Sequence, residues 1–169
     1  MSYSRVNATG ETYETASKTI GSLIDREFLK ANTENKKPKI FYNEIKPVPA
    51  EYEKSSRHVS VYMTGTMGQL TATLDDSQSH VQESLMIDVF SYSQLTNILI
   101  QKEIIRILRK NNPKGGVTIL KSDNSSESGI IHMPRPLPTF TIPPRVQGQK
   151  YIKAQMLLTV TFLEGWTPA

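Results

Sequence analysis

The chain has 169 residues, with 20 Lys or Arg, 16 Asp or Glu, ten prolines and no cysteine. That length suffices for one core burying roughly 70% of the unfolded surface, so no metal or disulfide staple is required. The lack of cysteine excludes a disulfide framework, a thiolate metal site and a thiol nucleophile together.

The net charge of +4 is uneven. Residues 1–100 hold 10 basic and 12 acidic groups (−2), and residues 101–169 hold 10 basic and 4 acidic (+6). Such a split fits a nucleic-acid face, or identical subunits meeting through complementary ends. The sequence has no apolar leader and no window of about 18 uncharged apolar residues, so we expect a cytoplasmic product with neither signal peptide nor membrane span.

In residues 11–31, Tyr13, Ala16, Ile20, Leu23, Ile24 and Phe28 recur at steps of three or four and predict a first helix, with Thr9 as N-cap and Glu11 and Glu14 near its positive end. "KIFYNEI" (39–45) reads as a strand, and "KPVPAEYEKSSR" (46–57) as a loop whose prolines cannot donate to a ladder. "HVSVYMTGT" (58–66) is a second strand, with "TGTMGQ" as a mobile hairpin tip and Asp75 and Asp76 in a solvated turn. "ESLMIDVFS" (83–91) is a third strand, placing Leu85, Ile87 and Val89 on one face and Met86, Asp88 and Phe90 on the other.

That strand runs directly into "SYSQLTNILIQKEIIRILRK" (91–110), a helix with Ser91 and Gln94 at capping-box spacing. Leu95, Ile98, Leu99, Ile105 and Leu108 are the expected buried stripe, and Arg106, Arg109 and Lys110 load the negative end. "VTILK" (117–121) is a short strand and "SDNSSESG" (122–129) a flexible polar stretch. "HMPRPLPTFTIPPR" (132–145) concentrates five prolines. In "QKYIKAQMLLTVTFLEGW" (149–166), Ile152, Ala154, Met156, Leu158, Val160 and Phe162 alternate with Lys153, Gln155, Leu157, Thr159, Thr161 and Leu163, a strand long enough to outgrow its own sheet. The expected fold is α+β: one domain over residues 1–169, a mixed, mainly antiparallel sheet carrying two principal helices, and an extended loop or arm at 122–149.

Little in the sequence carries chemistry. His58, His80 and His132 are isolated from one another and from carboxylates at metal-ligand spacing. Asp75, Asp76 and His80 are the weak candidates for a hydrolase. No phosphate-binding glycine motif or nucleophile elbow occurs. We therefore expect no catalytic residue, cofactor or metal. Asp88, in an otherwise apolar strand, is expected to pair with a lysine at a solvent or subunit face. The arm contains no P-x-x-P, which removes the signalling-ligand reading. It reads instead as a stiff segment with Leu137, Phe140 and Ile142 as anchors and Arg135 and Arg145 as charged ends. It either docks on a neighbouring chain or packs within its own. With Asp88, Leu157 and Leu163, these residues form the candidate protein interface.

The strand-to-helix join at 89–94, the helix through Ile105 and Leu108, and the terminal strand from Tyr151 to Leu163 together resemble the tail terminator and neck-completion proteins of long-tailed bacteriophages. The resemblance implies an α/β fold assembled as a hexameric ring in the virion neck. The implied partners are the tail tube protein and the head connector or completion protein, with DNA passing through the lumen without specific binding. Two alternatives stand beside it: a head-completion adaptor, and a nucleic-acid-binding domain using Lys102, Arg106, Arg109 and Lys110.

Overall fold

The computed structural model describes residues 16–31, 37–42, 57–72, 78–112, 117–120, 127–145 and 147–165, with short strands at 5–6 and 12–13. In chain order the elements are β1 (Arg5–Val6), β2 (Thr12–Tyr13), α1 (Ala16–Ala31), β3 (Lys39–Tyr42), β4 (His58–Ala72), β5 (Gln78–Ser91), α2 (Gln94–Lys110), β6 (Val117–Leu120), β7 (Glu127–Ile131) and β8 (Ile152–Gly165).

Strands order as β2-β1-β8-β5-β4-β3 in the main sheet, and β6 and β7 form a separate hairpin. β3 runs parallel to β4, while β4, β5 and β8 are mutually antiparallel. Two helices pack on one face, so the fold is α+β with a mixed, mainly antiparallel sheet, as expected. No helix among the described residues is long and apolar enough to cross a membrane.

The alternation read from β5 and β8 becomes two distinct sheet faces. Leu85, Ile87 and Val89 stand opposite Leu158, Met156 and Ala154, and Val59 and Val61 continue the rows on β4. These side chains are buried with Ile20, Leu23 and Ile24 of α1 and Ile104, Ile107 and Leu108 of α2. Full burial of one such aliphatic side chain contributes about 1.5–3 kcal/mol. A one-residue slip of β8 would exchange these residues for Lys153, Gln155 and Thr159, so the register is held by an energy on the order of 10 kcal/mol.

β8 does not outgrow its sheet. β5 pairs with it along its whole length, from Gln78↔Gly165 to Ser91↔Ile152. β4 is also longer than expected and continues through "TGTMGQ" to Ala72. Between Met63 and Met67 its partner advances only from Leu85 to Glu83, an irregularity that absorbs extra residues without ending the strand. The "TGTMGQ" segment expected as a hairpin tip is therefore strand, and Asp75 and Asp76 lie outside the described residues.

Three boundaries differ from the sequence reading. α1 starts at Ala16, because Thr12 and Tyr13 are already committed to a ladder with Val6 and Arg5. Thr9, Glu11 and Glu14 lie outside the described residues. The cap of α2 is Ser93, whose side chain accepts from the Thr96 backbone N–H, while Ser91 Oγ donates to Ser93 O. Within the expected arm at 122–149, residues 127–131 form β7 against β6.

The buried face of α2 is rotated from the expected stripe. It consists of Asn97, Ile100, Ile104, Ile107 and Leu108, while Leu95 is 67% and Leu99 50% exposed. Asn97 decides the rotation. Its Nδ2 donates to Val89 O at 3.2 Å and Ile152 O at 3.1 Å, and its Oδ1 accepts from Gln101 Nε2 at 2.6 Å. A single amide thus ties the helix to the end of β5 and the start of β8.

Asn97→Ala leaves two strand carbonyls without this donor and is expected to lower stability by about 1–3 kcal/mol in urea unfolding. Leu95→Gln and Leu99→Gln, at exposed sites, are expected to stay within about 0.5 kcal/mol of the parent.

Candidate functional site

The sheet face opposite the helices presents a second set of side chains. The register aligns His58, Phe90 and Lys153 in one row, Ser60, Asp88 and Gln155 in the next, and Tyr62, Met86 and Leu157 in a third. Asp88 lies at the centre and is buried. Tyr62 OH donates to Asp88 Oδ2 at 2.8 Å, Gln155 Nε2 donates to Oδ1 at 3.1 Å, and Lys153 Nζ stands 3.7 Å from Oδ2. Burial, then the bond to Asp88 and its negative charge, raise the Tyr62 phenol above its ordinary pKa. Both Asp88 oxygens are engaged within the chain. The lysine partner expected for Asp88 is Lys153, and the arrangement is suited to fixing a surface.

His58 stacks on Phe90 at 4.3 Å between ring centroids and meets Phe41 edge-on at 5.8 Å. Desolvation between these rings lowers its pKa from 6.5 to about 4. Further along the same face the rows turn polar: Ser84 and Thr159 hydroxyls lie 3.4 Å apart, and Thr64 Oγ1 donates to Ser84 O. Leu157 is 50% exposed on this helix-free face.

The proline segment is attached along the outer edge of β8. His132 and Thr161 exchange both backbone bonds, at 2.8 and 2.9 Å, and Thr141 and Gln155 do the same at 2.8 Å. Between these clamps Met133 is buried, and Leu137 and Phe140 pack against the core, so these expected anchors are used inside their own chain. Ile142 is 52% exposed, and Arg145 is exposed. Arg135 donates to Asn112 O just beyond α2, and Asn112 Nδ2 reaches Pro134 O at 3.5 Å. The side chain of Leu163 lies outside the described residues.

On the opposite side of the molecule, α1, α2 and the starts of β3 and β4 enclose a cleft of about 360 Å³. Phe28, Leu99 and Ile100 contribute its apolar surface, and Lys37, Arg57, Lys102 and Arg106 its cations. Arg106 is held by Glu103 through bonds of 3.0 and 2.6 Å, and Lys37 pairs with Asp25. Lys110, another member of the expected basic quartet, lies 3.3 Å from Glu27.

Sequence reasoning assigned Leu95 and Leu99 to the core and so missed their place at this surface. The available signal was the line Leu95, Leu99, Lys102, Arg106, Arg109: apolar residues sharing a helical face with successive cations. Among the described residues no group of three or more His, Asp or Glu is placed to hold a metal. Asp75 and Asp76 lie outside them, and His80 pairs with Thr71 and Leu163 within the sheet.

Asp88→Ala strips the acceptor from Tyr62 and Gln155 and is expected to cost about 2–3 kcal/mol. Spectrophotometric titration of this variant should show Tyr62 ionising at lower pH than in the parent. His58 gives a second test. Between its folded pKa of about 4 and its unfolded 6.5, only the unfolded chain binds the proton. Its contribution is therefore complete above about pH 6.5 and falls by about 1.4 kcal/mol per unit as the solution is acidified. Urea midpoints at pH 7 and pH 4.5 should differ less in His58→Phe than in the parent. Compared with known families and curated proteins, the sequence matches no family and no curated relative.

Proposed function

We propose that the chain is a structural subunit of a long-tailed phage virion, assembling as a hexameric ring that terminates the tail tube and joins it to the head connector. The observation that carries this reading is the pair of unlike surfaces on opposite sides of a two-layer molecule. One is the outer face of α2, with Leu95 and Leu99 exposed beside a cationic cleft; the other is the helix-free sheet face with exposed Leu157. A closed ring is built from heterologous contacts, in which each subunit offers two different surfaces to its two neighbours.

Element order adds support. β5 passes into α2 through Tyr92 and Ser93 alone, and the 14-residue β8 returns through the sheet beside β5. Those are the features on which the resemblance to tail terminators rests. In this reading the ring forms in the host cytoplasm and enters the virion at the neck, with its lumen passing DNA without sequence recognition. The head-completion adaptor differs from it only in the partner bound.

Class-averaged electron micrographs of the purified protein, with native mass spectrometry, test the proposal. The expected outcome is a six-fold ring with a central pore that decorates the ends of isolated tail tubes. A strict monomer at high micromolar concentration, with no binding to tubes, removes it.

A further inference from the structure

We propose that the edge of the molecule formed by the proline arm, its return turn and the end of α2 binds duplex DNA through the phosphate backbone, without reading sequence. Its place at the lumen rests on the ring reading, whereas the binding itself requires only the folded subunit.

Residues 104–163 hold nine Lys or Arg and two acids, Asp123 and Glu127, and no residue from 128 to 163 is Asp or Glu. Three of these cations are answered by carboxylates: Arg106 by Glu103, Lys110 by Glu27 and Lys153 by Asp88. Arg109, Arg145 and Lys150 are exposed and make no ion pair with a described residue. Arg135 is also exposed, and its bond to Asn112 O, a neutral carbonyl, leaves its charge uncompensated. The undescribed positions next to these residues in sequence, 113–116 and 146, add Lys114 and no acid.

The fold gathers the four cations into two pairs. Arg109 and Arg135 line a cleft of about 220 Å³ with Asn112, Pro134 and Pro136 at the end of α2. Thr141 and Gln155 exchange backbone bonds, so the chain between them returns on itself, with a turn at Gln147 and Gly148 where a φ of 85° suits glycine. Arg145 and Lys150 flank that turn, which leads into the start of β8, and Asn97 ties that start to the first turn of α2. The two pairs are therefore separated by about the length of the 17-residue α2, roughly 25 Å.

That separation matches phosphates about seven base pairs apart on one strand, which rises ~3.4 Å per nucleotide. An interface with an acidic protein is built round an apolar centre with its charges at the rim. Between these two pairs the exposed residues are Pro136, Thr139, Thr141 and Ile142, and only Ile142 is large and apolar. Single strands are held by bases stacked on aromatic rings. Here Phe140 packs against the core and Tyr151 rests against Phe90, so the edge offers no such platform. Cations without base-reading side chains between them fit the backbone of a duplex.

Fluorescence anisotropy with a 12-base-pair duplex of mixed sequence compares the full-length parent, Arg145→Gln/Lys150→Gln, and Arg26→Gln/Arg106→Gln, which removes the same charge from other parts of the helices. Circular dichroism checks that each folds. The parent should bind with micromolar affinity at 50 mM salt, and log K should fall against log salt with a slope of at least about −3, for four phosphate contacts. Arg145→Gln/Lys150→Gln should bind at least about tenfold more weakly and lose about two from the slope. The Arg26/Arg106 variant should stay within about twofold of the parent. Unrelated duplex sequences should bind alike.

A parent that does not bind the duplex at 50 mM salt overturns the inference, as does an equal loss in both variants, which would reduce the effect to net charge. Tighter binding of a single strand of the same length, or of polyglutamate, assigns the edge to another partner and overturns it too. Electron micrographs of the same samples keep the two readings apart. Rings without DNA binding remove this inference alone, and a monomer that binds DNA through the arm removes the ring and its lumen while the surface stands.

Discussion

The long antiparallel pairing of β5 with β8 is the constraint on which the remaining structure depends. Fourteen consecutive partners leave no freedom of register, and each residue is thereby assigned to one face or the other. Leu85, Ile87 and Val89 with Leu158, Met156 and Ala154 make an apolar floor for the two helices. The same pairing sets Asp88 beside Gln155 and Phe90 beside Lys153 on the opposite side. The hydrophobic layer and the polar network are therefore two consequences of one ladder, and neither can move without the other.

Among the described residues no helix covers the sheet face that carries Asp88, yet it buries polar groups. Asp88 is covered by its own neighbours: Tyr62 and Gln155 donate to it, and Lys153 leans across from the adjacent row. His58 is closed off by Phe41 and Phe90. A buried carboxylate is tolerable only when its oxygens are bonded, and here the bonds come from side chains on two flanking strands. Exposed apolar area on this face is concentrated at Leu157, next to polar rows. A pre-organised surface of this kind loses little side-chain entropy on contact, which suits assembly by shape.

The outer edge of β8 raises a different problem, since a long strand edge invites pairing with another chain. Two reciprocal clamps, at Thr161 and Gln155, attach the proline segment to that edge, and Met133, Leu137 and Phe140 are drawn toward the core between them. Prolines at 134, 136, 138, 143 and 144 remove donors from the covering segment, so it can shield the strand without offering a regular ladder of its own. Stiffness in the arm thus has an intrachain use, and the exposed Ile142 and Arg145 are the parts left available to a neighbour.

Several elements were legible because one dominant energy acted on a simple period. In β8, alternating Ile152, Ala154, Met156, Leu158 and Val160 are all buried, as a half-covered strand requires; in α1, Ala16, Ile20, Leu23, Ile24 and Phe28 face the sheet. α2 was misread because it contains more apolar residues than one stripe can bury. Counting them could not choose between two faces, and the choice fell to Asn97, whose value depends on two carbonyls far away in sequence. The Asp88 network was half legible: a lone acid in an apolar strand implies a cation, but Tyr62 and Gln155 become its donors only through strand register. By itself, then, the sequence determined the cores of β3, β4, β5, β6 and β8, the presence of both helices and the α+β class, because periodic burial is a local property. Tertiary structure alone decided which face of α2 meets solvent, how Asp88 is satisfied and where the proline segment lies, because those outcomes depend on hydrogen bonds and contacts between residues distant in the chain.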